Sequence, residues 1–122
     1  MKTEIEHCGL EEIIDLQLKA YNENDFETFA SCYHKNIISI DLDSSEIIPH
    51  LCGEHFFNYY RKKLSENPTL NCQVIQRITH DNLIVDKEII SNFHSQPHQE
   101  LVIYQIEHNL ITKMWFTKET TT

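Results

Sequence analysis

Two carboxylates stand two positions apart in the stretch NLIVDKEIISNF, at Asp86 and Glu88. In an extended strand, residues i and i+2 share a face, so these two groups lie close enough for their titrations to couple. Ile90 continues that face, while Val85, Lys87 and Ile89 form the other. If the carboxylates point inward, Glu88 is an acid or base for proton transfer, with Arg77 of the preceding strand as its charge partner. The structural alternative is a cross-strand Arg77–Glu88 pair, which contributes little where water reaches it.

Histidine supplies a second kind of chemistry. There are eight, and His50 and His55 flank Cys52 in PHLCGEH, three metal-ligand types at close spacing. That spacing matches no zinc pattern and one loop offers three ligands at most, so no metal site is expected. His50 remains a pocket candidate, and His94 and His98 are expected on an exposed turn. Tyr21, Phe29, Tyr33, Phe57, Tyr60, Tyr104 and Trp115 are numerous enough to line a cavity for a flat apolar ligand. Aromatic residues at helical or strand spacing are also ordinary core, so only Tyr104 and Trp115, in the last hairpin, are singled out on position.

The bulk properties narrow the class. A chain of 122 residues predicts one domain, 1–122, with one core. Nineteen acidic residues against ten basic give a net charge of −9, which disfavours nucleic acid, because phosphate binding needs clustered Lys and Arg. The one cationic run, Arg61-Lys62-Lys63, reads as the solvated end of a helix. No apolar run is long enough for a membrane span, and Cys8, Cys32, Cys52 and Cys72 form no C-x-x-C pair. The expectation is a cytoplasmic protein with free, mostly buried thiols.

The elements that would hold these groups follow from periodicity. Thr3 and Glu6 can form a capping box, Gly9 interrupts, and Leu10, Ile13, Ile14, Leu18 and Tyr21 give one apolar helical face. Asp25 caps a second helix whose buried side is Phe26, Phe29, Ala30 and Tyr33. In NIISIDLD, Ile38, Ile40 and Leu42 alternate with polar residues, which predicts a half-buried strand with Asp41 on the opposite face. A loop leads to a third, aromatic helix over about Glu54–Ser65, which Asn67-Pro68 ends. From Asn71 to Thr117, four apolar runs broken at His80-Asp81-Asn82, His94 to Gln99 and His108-Asn109 predict an antiparallel meander with the helices on one face. The ETTT end is expected to fray.

Four local features in this order resemble one family. AYNENDFETFASCY looks like the segment joining the first two helices of the nuclear-transport-factor-2-like superfamily. CGEHFFNYYRKKL resembles its Gly-started third helix, VIQRI with LIVDKE its central hairpin, and IYQIEHNLITKMWF its closing hairpin. The likeness spans Ile13 to Phe116 and is strongest to the SnoaL-like and steroid delta-isomerase-like branch. It implies an α+β fold, a cone-shaped curved antiparallel sheet with three N-terminal helices covering its concave face over an apolar cavity. It also implies a homodimer through the outer sheet face.

The resemblance carries a functional expectation with it. ISIDLDSS aligns with the segment where steroid isomerases keep the aspartate that shuttles a proton alpha to a carbonyl, which makes Asp41 the expected general base. Their enolate-stabilising tyrosine and protonated aspartic acid fall at Gln17 and near Val102. Gln17 donates weakly and Val102 not at all, so another phenol such as Tyr104 would have to substitute. The function expected is an isomerase, cyclase or hydratase acting on a small apolar carbonyl compound, without cofactor. Its site is Asp41 with Gln17, Tyr21, His50, Tyr60, Asp86, Glu88, Tyr104 and Trp115. The alternative is a non-catalytic ligand-binding or dimeric protein-interaction module of the same fold.

Overall fold

The structure, a computed structural model, describes residues 2–117, with side chains described over 9–117. Helices α1 (Lys2–Asn22) and α2 (Phe26–Ser31) lead into strand β1 (Tyr33–Asp41). A single 3₁₀ turn, Pro49–Leu51, precedes α3 (Glu54–Glu66). Strands β2 (Asn71–His80), β3 (Leu83–Ser91), β4 (His98–Glu107) and β5 (Leu110–Phe116) complete a five-stranded sheet in the order β1-β5-β4-β3-β2. The expected antiparallel meander is present, and β1 joins it by pairing parallel to β5. The result is the expected α+β architecture, a curved sheet with three helices over one face.

Tight turns set the meander's register. His108 and Asn109 both have positive φ, as a two-residue hairpin of the I′ kind requires. Gly53, at φ +55°, starts α3 in a conformation that side-chain-bearing residues adopt at a cost. Asp25 caps α2 by accepting from the Thr28 amide at 3.2 Å. Asn22 acts as a clamp: its side chain donates to the Cys72 carbonyl at 2.9 Å and accepts from the Cys72 amide at 2.7 Å. The end of α1 is thereby fixed to the start of β2.

Several expectations need correction. α1 runs through Gly9 without a break, because one glycine costs only about 1 kcal/mol of helix propensity, too little by itself to end a helix. Tyr33 belongs to β1, not to the second helix, although its ring still packs on Phe29 at 4.9 Å. The alternation in β1 is real, but the polar face is the inner one. Ile37, Ser39 and Asp41 are buried, and Ile38 and Ile40 lie on the outer side. His98 is buried, unlike the exposed His94. The Thr3–Glu6 box, the Cys8 thiol and the ETTT end lie outside the described residues and side chains.

The core lies between the helices and the concave sheet face. Phe29, Tyr33, Phe56 and Tyr60 make ring contacts of 4.7 to 6.2 Å, which lock α2 and α3 to β1. Ile14 of α1 and Ile84, Ile106 and Ile111 of the sheet belong to the same apolar cluster. Among the described residues, no helix is long and apolar enough to cross a membrane. Cys32, Cys52 and Cys72 are free thiols.

Candidate functional site

One face of β3 carries Ile84, Asp86, Glu88 and Ile90 into the interior, as strand alternation requires. Its neighbour β4 turns Glu100, Val102 and Tyr104 the same way, with Glu88 directly opposite Glu100 and Asp86 opposite Val102. Between this wall and the helices lies a cavity of about 180 Å³. The two β3 carboxylates part here: Glu88 lines the cavity and Asp86 does not.

Asp86 is fully buried and held by Arg77, whose Nε and Nη2 donate to its two oxygens at 2.7 and 2.9 Å. The same guanidinium reaches Asp15 on α1 at 2.8 Å. Burial pushes the Asp86 carboxyl upward and the guanidinium offsets part of that. The Arg77–Glu88 pairing expected from the sequence does not form. Counted from the turn, which pairs His80 with Leu83, Arg77 falls opposite Asp86, and beyond the β-bulge between Val74 and Gln76 Glu88 faces Val74.

Glu88 has no such cation. It is 4% exposed and accepts from the Tyr104 hydroxyl at 3.1 Å. Burial raises its carboxyl to about 7, with the Asp86 and Glu100 charges adding to the rise and donors on Cys72 and Tyr104 opposing it. The hydrogen bonds continue inward: Gln17 Nε2 donates to the Tyr104 oxygen at 3.2 Å, and Tyr33 donates to Gln17 Oε1 at 2.7 Å. Every donor in this chain of four side chains points toward Glu88. A carboxyl near 7 is half protonated at neutral pH, so it can take or give a proton.

The outer part of the cavity is charged and aromatic. Asp41 lines it from the end of β1, where its Oδ1 accepts from the Asp43 and Ser44 amides at 2.9 and 3.3 Å. Glu100 also lines it and lies 2.8 Å from the Nε2 of His98. Lys63 reaches it from α3, with Nζ 4.4 Å from the Phe93 ring centre and 5.4 to 5.8 Å from those of Tyr21, Tyr59 and Tyr60. No three His, Cys, Asp or Glu side chains converge as metal ligands among the described residues.

Six of the sequence-selected residues line the cavity: Asp41, Gln17, Tyr21, Tyr60, Glu88 and Tyr104. The other three are elsewhere. His50 is exposed on the 3₁₀ turn, Asp86 is sealed behind Arg77, and Trp115 lies on the outer sheet face between Ile40 and Ile103. Sequence reasoning missed Glu100, Cys72 and Lys63. Glu100 shares the strand parity of Tyr104, and Lys63 falls three and four positions after Tyr60 and Tyr59, so both signals were in the spacing. Lys63 instead read as the solvated end of a charged run.

No protein-family model matches this sequence, and a search of curated protein sequences finds no match. Solved structures do match in shape. An uncharacterized cystatin-fold protein of Novosphingobium aromaticivorans aligns with a TM-score of 0.78 at 14% identity, over 90% of this chain and 97% of its own. A SnoaL-like protein of unknown function from Burkholderia thailandensis gives a TM-score of 0.73 at 12% identity, over 93% and 96% of the two chains. A Kribbella flavida protein described as a proposed ketosteroid isomerase gives 0.74 at 11%, over 93% and 79%. Others carry the NTF2-like name. The chain therefore has the cystatin-like α+β fold of the NTF2-like and SnoaL-like proteins.

Proposed function

We propose that this protein is a small-molecule enzyme of the SnoaL-like type, moving a proton within the cavity on an apolar carbonyl compound, as an isomerase, cyclase or hydratase does. The observation that carries the reading is Glu88: a buried carboxyl near 7 that lines the cavity and takes a hydrogen bond from Tyr104. We assign proton abstraction to Glu88 and keep Asp41, the base expected from the sequence, as a second carboxylate for the returning proton. Lys63 is the single cationic donor among the described lining residues and can meet the oxygen where enolate charge develops. The volume suits a one-ring compound rather than a steroid, since a dry cavity of roughly 150 Å³ holds benzene.

Hydrogen–deuterium exchange into a substrate tests this. Wild-type protein should speed exchange of the α-hydrogens of small cyclic ketones in heavy water, followed by proton NMR. Glu88→Gln should slow it on the order of 100-fold or more, the usual scale of a lost general base. An unchanged rate in that variant would sink the assignment. Binding without turnover is the second reading, favoured by Val102 lining the cavity where the isomerases have a donor.

The outer sheet face supports a second proposal, that two copies of this chain meet there. Ile40, Trp115, Ile103, Val85 and Ile78 are paired in register across all five strands, and Ile78 is 66% exposed. Five strands of this length span roughly 700 Å², near the ~800 Å² per partner of a standard interface. Sedimentation should give twice the chain mass, falling to the single mass for Ile103→Lys. A wild-type monomer at millimolar concentration would end the idea.

A further inference from the structure

The cavity is unusually charged for one meant to hold a neutral ketone. Among the described residues that line it, Asp41, Glu88 and Glu100 bring three carboxylates and Lys63 one ammonium. Glu88 and Glu100 are direct cross-strand partners on the concave face, so their oxygens share one wall. The facing helices supply rings, Tyr21 and Tyr60, with Phe116 on the sheet side. Carboxylate and aromatic faces together attract organic cations, through opposite charge and the negative face of each ring.

The protein itself demonstrates half of this. The Lys63 ammonium lies against the rings of Phe93, Tyr60, Tyr21 and Tyr59, so the aromatic wall already accommodates a positive nitrogen at its outer side. Farther in, no cationic side chain among the described residues lines the cavity near Glu88: Arg77 is committed to Asp86 and Asp15, and His98 acts on Glu100 from outside the lining. The net charge of −9 would also concentrate cations, and repel anions, at the entrance.

We propose that the compound this cavity takes carries a protonated amine on a one-ring apolar body, with the ammonium set between Glu88 and Glu100 and the ring against Tyr21, Tyr60 and Phe116. This rests on the enzyme reading above and names its substrate class, an amine-bearing carbonyl compound. Nothing covalent is required for binding. A cation beside Glu88 favours its ionised form, so binding at pH 7 should expel up to about half a proton per site.

Benzylamine, benzyl alcohol and benzoate have nearly one shape and three charges, which makes them the probes. Calorimetry on the full chain should find benzylamine bound at least tenfold more tightly than benzyl alcohol, and benzoate not detectably. The heat of benzylamine binding should differ between phosphate and Tris buffers, as proton release demands, and the alcohol's should not. Glu88→Gln and Glu100→Gln should each cut the amine preference several-fold. Glu100→Gln keeps the side-chain volume at a partly exposed position, so it holds the test open if the Glu88 variant disturbs the core. Benzoate binding as tightly as benzylamine, or an amine preference that survives both substitutions, would overturn the proposal. If neutral ketones exchange while amines gain nothing, the inference fails and the enzyme reading stands. If amines are preferred but neither a cyclic ketone nor an aminoketone exchanges, the binding inference holds and the enzyme reading fails.

Discussion

Asp86 and Glu88 share a strand, a face and a chemical group, yet they end in opposite situations. Asp86 is held by two guanidinium hydrogen bonds beneath α1 and has left the cavity. Glu88, one step along the same face, meets a phenol and a thiol, both uncharged, and its carboxyl rises to about 7. Water is excluded from both, at 0% and 4% exposure, so exposure alone does not decide which becomes reactive. The partner decides: a cation makes a buried carboxylate structural, and its absence leaves a proton in play.

The largest test of that contrast removes the cation. Arg77→Leu should cost about 3–5 kcal/mol in urea unfolding, because it strands a fully buried carboxylate. Adding Asp86→Leu should restore most of it, as a pair of apolar side chains replaces the pair of charges. A loss under about 1 kcal/mol in the single variant would mean that the ion pair is not what holds Asp86 in place.

Glu88 should behave in the opposite way. Its folded value, about 7, lies above its ordinary 4.5, so the folded state binds the extra proton and stability falls as pH rises from 4.5 through 7. That difference corresponds to about 3 kcal/mol. Glu88→Gln should flatten the fall, appearing neutral near pH 5 and stabilising near pH 8. Parallel pH profiles for variant and wild type would contradict the raised value.

Tyr104→Phe is the smallest of the three and sharpens the comparison most. It should destabilise by about 1 kcal/mol, the net worth of a buried hydrogen bond. It should also push the Glu88 carboxyl further up, since the lost hydroxyl favoured the ionised form. Carbon-13 NMR of the glutamate carboxyls reads that shift directly. A downward movement would show that the phenol does not donate to Glu88.

The fold was legible where periodicity speaks. Alternation in β3, the turn at His108-Asn109 and the aromatic spacing of α3 each specify geometry through local sterics, and the four-strand meander followed. The site was legible where parity speaks, which is why Glu88 was found, while Gln17 came from the family resemblance and Tyr104 from its place in the closing hairpin. What escaped depended on register counted across a turn or on a partner distant in sequence. The Asp81-Asn82 turn pairs His80 with Leu83 and so sets Arg77 opposite Asp86, whereas strand parity alone left either carboxylate open to it. Lys63 looked solvated because the rings that receive it are assembled from Tyr21, its own helix and Phe93. The polar inner face of β1 likewise required knowing that β5, far downstream in the chain, lies beside it.

That last adjacency has a consequence for how the chain is made. Among the described strands β5 is made last, yet it sits second in the sheet and joins β1 to the meander. Until it arrives, Tyr33–Asp41 is an unpaired edge with Ile38 and Ile40 on one side of it. Such an edge is a template for pairing with another nascent chain. A chain stalled just before β5 is complete would therefore expose the edges of both β1 and β4 to such pairing.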